Sequence, residues 1–374
     1  MRELKLLIKP VSSACDLNCR YCFYKDEAEK RKVADHGKMT NDTMRAIVDK
    51  ALAAAQTCVF GFQGGEPTLA GLSFFRAFTA YVEERKRPGQ TVAFTLQTNG
   101  IRMDEEWLEF LKEKQFLTGL SLDGVRKTHD ENRTDYRGDG TFTRAFACAK
   151  KLQEYRIPFH VLCVLNAQTA SHIGAVYRFF IRKGLIHQQY IPCLDPLGEE
   201  RGRNEYSLTP GMYEESMKTL FDLWFQDRVQ GSLVYIRQFE NYVDMLRGGQ
   251  PEACSMYGRC SMQNVIESDG SIYPCDFYAL DQYQMGNILD PSLDFETLGK
   301  LAQKEGAEGH PFFRDPARRD DRCGECRWYP LCRGGCKRDC FSADGTMKNY
   351  YCEANSRFFS YSIERLEYLA GSRF

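Results

Sequence analysis

The sequence predicts an α/β fold in which a partial (β/α)6 barrel is followed by a cysteine-rich domain. Short apolar runs alternate with segments of helical periodicity up to about residue 195, which is typical of a parallel sheet covered by helices. The alternation gives six units, too few for a closed eight-stranded barrel. From Cys254 onward cysteines and turn residues become frequent, and helical periodicity is lost until Phe358.

The six units follow one another in a regular order. The first has the apolar strand LLIKP at 6–10 and a helix over 40–55, for which Thr40 or Asn41 can serve as the N-cap. Because the carboxyl ends of parallel strands meet at one edge, we expect the functional site there. The later elements are predicted as strand 58–62, helix 74–81, strand 92–98, helix 105–114, strand 117–123, helix 142–155, strand 159–165, helix 172–182 and strand 187–194.

A polar stretch at 195–209 leads out of the barrel into an amphipathic helix at 212–227, with Leu220, Phe221, Leu223 and Trp224 on its apolar side. A last helix is predicted at 358–369. We place a domain boundary near residue 250. The barrel and its connecting helix then occupy 1–250, and the cysteine-rich domain with the C-terminal helix occupies 251–374.

Composition narrows the choice of partners and compartment. The 374 residues include 50 Lys+Arg against 51 Asp+Glu, so no positive excess is available for nucleic acid or acidic lipid. No apolar run is long enough to span a bilayer. We therefore expect neither a nucleic-acid nor a membrane partner. The 16 cysteines and the absence of a signal-like start predict a reduced, cytoplasmic protein whose thiols hold metal.

Cys15, Cys19 and Cys22 form a C-x3-C-x2-C motif directly after the first strand. Three thiolates of one loop can bind a four-iron cluster and leave one iron open. The amine and carboxylate of a methionine-derived molecule can occupy that position. The alternative is a zinc knuckle, which would need a fourth ligand, and the nearest histidine, His36, lies across a charged segment.

This spacing, with an aromatic residue before the last cysteine, resembles the radical S-adenosylmethionine (SAM) superfamily. The resemblance implies a [4Fe-4S] cluster that binds S-adenosyl-L-methionine and cleaves it to a 5'-deoxyadenosyl radical. It also implies a barrel of the radical SAM type, with cofactor contacts from the GGEP run and from strand ends. Each of the implied cofactor-binding residues can also be explained as part of an ordinary turn, as a surface charge or as a core residue. The implied cofactor-binding residues are Tyr21, Gly64, Gly65, Glu66, Ser121, Arg133 and Leu194.

Nine cysteines lie between Cys254 and Cys352, and the C-x2-C-x5-C-x3-C run from Cys323 to Cys336 resembles the SPASM extension of radical enzymes that modify peptides. The resemblance implies two auxiliary clusters, hence three [4Fe-4S] clusters in all. A zinc ribbon competes for the C-x2-C pairs, and Cys340 could replace Cys336. The implied ligands are Cys254, Cys260, Cys275 and Cys336 for the first auxiliary cluster, and Cys323, Cys326, Cys332 and Cys352 for the second. Buried structural thiols are expected at Cys58, Cys148, Cys163 and Cys193.

The segments LLIKPVSSACDLNCRYCFY, FGFQGGEPTLAG and ESDGSIYPCDFY give a closer resemblance, over nearly the whole chain, to the anaerobic sulfatase-maturating enzymes. That family oxidises a Cys or Ser side chain of a sulfatase polypeptide to Cα-formylglycine. The resemblance implies Asp276, beside Cys275, as the general base. It further implies a low-potential electron donor such as ferredoxin or flavodoxin. Substrate contacts are expected from Tyr24, Gln63, Gln97 and Arg237.

Other interpretations stay open at this point. A SPASM peptide maturase would form a thioether or carbon–carbon cross-link in a ribosomal precursor peptide. Many such enzymes carry a leader-binding domain before the first cluster, and a start at Cys15 leaves no space for one. A zinc-binding interaction protein would contain zinc without sulfide. A small-molecule dehydrogenase of the radical family would act on an alcohol with no peptide attached.

Overall fold

The computed structural model describes residues 1–304, 309–314, 320–343 and 346–371. Its first elements alternate strand and helix as the sequence predicts. In chain order they are β1 (Glu3–Ile8), α1 (Phe23–Glu29), α2 (Asn41–Ala54), β2 (Thr57–Phe62), α3 (Leu72–Arg85), β3 (Thr91–Thr98), α4 (Glu105–Glu113), β4 (Leu117–Ser121), α5 (Arg126–Asp130), α6 (Phe142–Glu154), β5 (Phe159–Leu165), α7 (Ala167–Ser171), α8 (Ile173–Arg182) and β6 (His187–Pro192).

The later elements are shorter, apart from two long helices. They are α9 (Pro210–Val229), β7 (Tyr235–Ile236), α10 (Arg237–Leu246), β8 (Val265–Ile266), β9 (Ser271–Tyr273), β10 (Gly286–Asn287), α11 (Phe295–Gln303), α12 (Pro311–Arg314), α13 (Tyr329–Cys332), β11 (Cys340–Ala343), β12 (Thr346–Asn349) and α14 (Cys352–Ala370). Among the described residues, no helix is both long and apolar enough to cross a membrane.

The chain forms two compact units. The first comprises Met1–Ser121, Arg133–Phe159 and Ser261–Arg314, and the second comprises Leu122–Asn132, His160–Cys260 and Asp315–Phe374. The predicted domain boundary near residue 250 stays a prediction.

The sheet of the first unit is mainly parallel. Strands β1 to β4 pair as parallel neighbours in chain order. On the other side of β1 lies β8, also parallel, and β9 and β10 extend the sheet with antiparallel pairs. In register, Ile8 of β1 stands opposite Phe62 of β2 and Ile266 of β8. Three strands far apart in sequence therefore end side by side.

Helix α2 covers this sheet as its periodicity predicts. The side chain of Thr40 accepts a hydrogen bond from the backbone N–H of Thr43 and so caps the helix, as expected. The helix buries one apolar face, which consists of Met44, Ile47, Val48, Ala51 and Leu52. The opposite face carries the charged residues, so burial of one apolar stripe fixes how the helix lies on the strands.

In the second unit, β5, β6 and β7 are parallel neighbours, and α9 packs on α14. Aromatic side chains fill this helical core, with the ring of Phe221 lying 5.7 Å from that of Phe358 in an edge-to-face contact. Of the apolar residues predicted for α9, Leu220, Phe221 and Trp224 are buried and Leu223 is partly exposed.

Some predicted bounds were wrong. β1 ends at Ile8 rather than at Pro10, and the short helices α1, α10 and α11 were not predicted. Helical structure is not lost throughout the region after Cys254, because α11 lies within it. This helix has nine residues with Asp294 as its N-cap, and only Phe295 and Leu298 are buried. Its apolar residues Phe295, Leu298 and Leu301 repeat at helical spacing, but a run of nine residues is shorter than the window that establishes a helical period.

Candidate active site

The predicted cluster-binding cysteines lie in the loop between β1 and α1. Cys22 is the N-cap residue of α1. Burial raises the pKa of its thiol, and the backbone N–H groups of Lys25 and Tyr24 oppose this shift. The N–H of Leu17 donates to Cys15 Sγ at 3.4 Å. Burial, with smaller contributions from the Cys19 and Cys22 thiols, raises the pKa of Cys15 to about 12. The three sulfurs therefore share one neighbourhood that is lined with backbone donors.

The GGEP turn after β2 holds this loop in place. The N–H of Gly65 donates to the carbonyl oxygen of Ser12 at 3.0 Å, and the N–H of Glu66 donates to that of Ala14 at 2.8 Å. A Cβ atom on Gly65 would stand 2.0 Å from the Ala14 oxygen. Only glycine permits so close an approach of two backbones.

Gly65→Ala is therefore expected to lower the free energy of unfolding by about 1–3 kcal/mol, since the backbone must move to make room. The iron content should fall as well, because the cysteine loop moves with it. Gly299→Ala in α11 is the matched control, because nothing lies within 4 Å of a Cβ atom there. Urea unfolding and iron analysis of both variants test this, and equal unfolding free energies would contradict the close approach.

Glu66 is buried and ties the end of β2 to the end of β3. Its Oε1 accepts hydrogen bonds from the Thr68 N–H and from the hydroxyls of Thr68 and Thr98, and its Oε2 accepts one from the N–H of Asn99 at 2.8 Å. Burial raises the pKa of Glu66, whereas these donors lower it. The carboxylate fixes the turn, and Oε2, with one described donor, keeps acceptor capacity for an ammonium group.

Asp276 meets two of the predicted substrate-binding residues. Its Oδ2 accepts hydrogen bonds from the hydroxyl of Tyr24 at 2.6 Å and from the side-chain amide of Gln63 at 2.9 Å. Its Oδ1 lies 3.6 Å from Lys9 Nζ. Burial raises the pKa of Asp276, and Lys9 opposes this shift. The structure thus places a buried carboxylate, with a cation beside it, in the unit that holds the cysteine loop.

Two further pairs of predicted residues come together. Arg133 donates from Nη1 to the hydroxyl of Tyr21 at 3.2 Å, so two predicted cofactor contacts touch each other beside the cysteine loop. Gln97, a predicted substrate contact, donates to the hydroxyl of Ser121, a predicted cofactor contact, at 3.0 Å. Both pairs lie in the first unit.

Two predicted residues belong to the second unit. Leu194 is half-buried and follows β6. Arg237 begins α10 and contacts its own unit, with Nη1 donating to Gln189 Oε1 at 3.2 Å and Nε lying 3.3 Å from Glu252 Oε2. The position of Arg237 is therefore fixed by contacts inside that unit.

The C-terminal cysteines show one clear group. Burial, with smaller contributions from the thiols of Cys352, Cys323 and Cys326, raises the pKa of Cys332 to about 11, so these four predicted ligands lie in one neighbourhood. Of the first set, Cys254 and Cys260 are neighbours, because Cys254 contributes to the raised pKa of Cys260.

The remaining ligands of the first auxiliary set lie in both units. Cys275 follows β9 in the first unit, and Cys336 lies in the second, where its sulfur accepts from the N–H of Arg338 at 3.4 Å. Cys340 donates to the Cys336 carbonyl oxygen at 3.4 Å, and Cys260 contributes to its raised pKa, so it remains the alternative to Cys336. As expected for structural thiols, the buried cysteines include Cys58, Cys148, Cys163 and Cys193.

The chain is similar to known proteins. Residues 10–180 match the radical SAM superfamily, and residues 254–337 match an iron–sulfur cluster-binding domain, SPASM. A cysteine-type anaerobic sulfatase-maturating enzyme of Clostridium novyi is 41% identical over 99% of this chain and 98% of its own length. The chain belongs to the anaerobic sulfatase-maturating enzymes. It is therefore an enzyme of the radical SAM type, and the predicted fold class is confirmed.

Two further relatives place it within the family. A solved structure of native anSMEcpe with bound AdoMet and Kp18Cys peptide superposes with a TM-score of 0.92 at 40% identity, covering 99% of this chain and 100% of that one. A serine-type anaerobic sulfatase-maturating enzyme of Bacteroides thetaiotaomicron is 26% identical over 98% of this chain and 91% of its own length. This chain is thus more similar to the cysteine-type relatives than to the serine-type one.

Radical SAM and SPASM domains imply iron–sulfur clusters and S-adenosyl-L-methionine, and the cysteine loop fits the first of these. Among the described residues, no three Cys, His or acidic side chains stand together as ligands of one metal ion. A four-iron cluster does not require this, because each thiolate binds a separate iron. Three neighbouring thiols of one loop, with the N–H of Leu17 directed at Cys15 Sγ, suit such a cluster.

Sequence reasoning missed the charged residues around Asp276. Lys9, Glu27, Arg31 and Glu267 are buried there, with Lys9 Nζ 3.3 Å from Glu267 Oε1 and Arg31 Nη1 2.5 Å from the same atom. The available signal was a lysine directly after the apolar run LLI. A lysine is rarely buried unless it is paired, so its place at the end of a buried strand predicts acidic partners.

Proposed function

We propose that this enzyme oxidises a cysteine side chain of a sulfatase polypeptide to Cα-formylglycine. The observation that carries the proposal is the buried Asp276 carboxylate, held by Tyr24 and Gln63 in the unit that contains the cysteine loop. Cysteine rather than serine is supported by 41% identity to a cysteine-type relative against 26% to a serine-type one.

The reaction removes two hydrogens from the substrate. Bound by Cys15, Cys19 and Cys22, a four-iron cluster with S-adenosyl-L-methionine would supply a 5'-deoxyadenosyl radical able to take a hydrogen atom from the β-carbon, and the auxiliary clusters would supply an acceptor for the one electron that the substrate must still lose. Asp276 takes the remaining proton as general base. The C=S bond so formed is hydrolysed by water to the aldehyde, with release of hydrogen sulfide. Methionine and 5'-deoxyadenosine are the other products.

Other residues have binding roles in this proposal. Tyr24, Gln63, Gln97 and Arg237 contact the peptide, for which neutral amide and hydroxyl groups are suited because peptide groups are neutral donors and acceptors. Contacts to S-adenosyl-L-methionine come from Tyr21, Gly64, Gly65, Glu66, Ser121, Arg133 and Leu194.

Three [4Fe-4S] clusters complete the proposed cofactor set. Their ligands are Cys15, Cys19 and Cys22 for the first, Cys254, Cys260, Cys275 and Cys336 for the second, and Cys323, Cys326, Cys332 and Cys352 for the third. A ferredoxin or flavodoxin is the proposed electron donor. The many thiols support a reduced, cytoplasmic setting.

The test is an anaerobic reaction of the reconstituted enzyme with a short CxPxR-type sulfatase peptide, followed by mass spectrometry and hydrazide labelling. The expected product has an aldehyde group in place of the thiol-bearing methylene of the cysteine and reacts with the hydrazide. A peptide with alanine at the cysteine position is the control and should stay unchanged. The alternative, a thioether or carbon–carbon cross-link, would give a peptide that has lost two hydrogens and bears no aldehyde. An unreacted cysteine peptide together with turnover of a free alcohol would also overturn the proposal.

A further inference from the structure

Four buried charged residues, Lys9, Glu27, Arg31 and Glu267, surround the carboxylate that we propose as the base. Lys9 is 2% exposed and lies at the centre of this group. Its ammonium nitrogen is 3.3 Å from Glu267 Oε1, 3.6 Å from Asp276 Oδ1 and 3.8 Å from Glu27 Oε2. It also stands 4.7 Å from the centre of the Tyr24 ring, over its face. One cation thus contacts both the proposed base and the tyrosine that hydrogen-bonds to it.

The strand register brings these residues together. Ile8, Phe62 and Ile266 end three neighbouring parallel strands. The next residue of each strand is Lys9, Gln63 or Glu267, and the backbone continues in register, with Lys9 N–H donating to the Ile266 oxygen at 2.8 Å and Gln63 N–H to the Ile8 oxygen at 2.9 Å. Lys9 therefore follows β1 directly, and its backbone N–H is held by the neighbouring strand β8.

The group is close to electrically balanced. Burial raises the pKa of Glu27 to about 8, so this residue is mostly neutral near pH 7. Lys9 and Arg31 then face the carboxylates of Glu267 and Asp276. Arg31 bonds to Glu267 and to the carbonyl oxygen of Ala34, whereas Lys9 is the cation that lies against Asp276. The two cations therefore have different partners within one group.

The two oxygens of Asp276 are used differently. Oδ2 accepts from the Tyr24 hydroxyl and from the Gln63 amide, both of which are proposed peptide contacts. A bound peptide can reach the carboxylate by displacing one of these neutral donors. Oδ1 faces Lys9, whose backbone N–H bonds to the Ile266 oxygen of β8. The ion pair between Lys9 and Oδ1 can therefore stay in place while the peptide displaces Tyr24 or Gln63 from Oδ2.

We propose that Lys9 is a positioning residue for the oxidation: it compensates the charge of Asp276 and fixes the orientation of that carboxylate toward the peptide. This inference rests on the proposed function. An ionised carboxylate without a cation is costly in a buried site, so loss of Lys9 leaves Asp276 displaced or uncompensated. Formation of 5'-deoxyadenosine does not need the base. Loss of Lys9 should therefore lower the formation of aldehyde peptide while 5'-deoxyadenosine is still formed.

The experiment compares Lys9→Met with Arg31→Met in the reconstituted holoenzyme. Both variants remove one positive charge from the same buried group, but only Lys9 contacts Asp276. Aldehyde peptide and 5'-deoxyadenosine are measured in one anaerobic assay, together with peptide affinity and Tm. We expect Lys9→Met to lower the ratio of aldehyde to 5'-deoxyadenosine by about tenfold or more. Arg31→Met should lower Tm and leave the ratio at the wild-type value.

A double variant keeps the inference testable if Lys9→Met does not fold. Lys9→Met combined with Glu267→Gln removes one cation and one anion, so the buried group stays balanced while Asp276 still lacks its neighbour. The low ratio should persist in this double variant. A wild-type ratio in either variant that lacks Lys9 would overturn the inference. Failure of the wild-type enzyme itself to form aldehyde would instead refute the proposed function, so the two failures are distinguishable.

Discussion

Replacement of Cys15, Cys19 and Cys22 together by alanine is expected to abolish formation of 5'-deoxyadenosine. Electron delivery to the sulfonium needs an iron with an open position, and in the proposed assignment only this loop leaves one open, because each auxiliary cluster has four cysteine ligands. Iron should fall by about a third, from about twelve to about eight atoms per chain. Chromatography of the anaerobic reaction and analysis of iron and sulfide measure both effects.

Two control variants make this result specific. Cys148→Ala removes a buried thiol that we do not propose as a ligand, and it should leave the iron content unchanged. Removal of Cys323 and Cys326 should instead damage folding or aldehyde formation, since a closed cluster braces its domain. If the triple variant still made 5'-deoxyadenosine at the wild-type rate, the first cluster would have been assigned to the wrong cysteines. Stoichiometric zinc without sulfide in the wild-type protein would contradict iron–sulfur binding altogether.

The barrel elements could be predicted because each carries a local period. Helix α2 has five apolar residues at helical spacing and a threonine cap, and all of these signals lie within sixteen residues (40–55). The cysteine loop could be placed for a similar reason, since its three thiols follow one strand directly. Short elements such as β8, with two residues, offer no period.

The surroundings of Asp276 could be predicted only in part. Resemblance named Tyr24 and Gln63, but the ion pairs depend on β8 lying beside β1, which places residues 9 and 267 next to each other. No spacing in the sequence encodes a contact across more than 250 residues. The partner of a buried lysine is set by strand order, and strand order was not predicted beyond the barrel. For this reason the sequence places Lys9 within the predicted strand 6–10 and not in a site.

Asp276→Asn is expected to lower aldehyde formation by about a hundred- to ten-thousand-fold, the usual cost of removing a general base. The substitution keeps the size of the side chain, and the amide oxygen can still accept from the Tyr24 hydroxyl, so peptide binding and cluster content should change little. Hydrogen abstraction precedes proton loss from the β-carbon radical. The variant should therefore still form 5'-deoxyadenosine, and the ratio of the two products in one assay reports the role of the base.

Asp281→Asn is the matched control, because Asp281 is an exposed carboxylate five residues away. Among the described hydrogen bonds, its Oδ2 accepts one only from the backbone N–H of Lys32. It should keep both products at wild-type amounts. The ratio of aldehyde to 5'-deoxyadenosine should fall further in Asp276→Asn than in Lys9→Met, because the first variant loses the proton acceptor and the second loses only the residue beside it. If Asp276→Asn kept both products near wild-type amounts, another group would accept the substrate proton, and the ion pair of Asp276 with Lys9 would contribute only to stability.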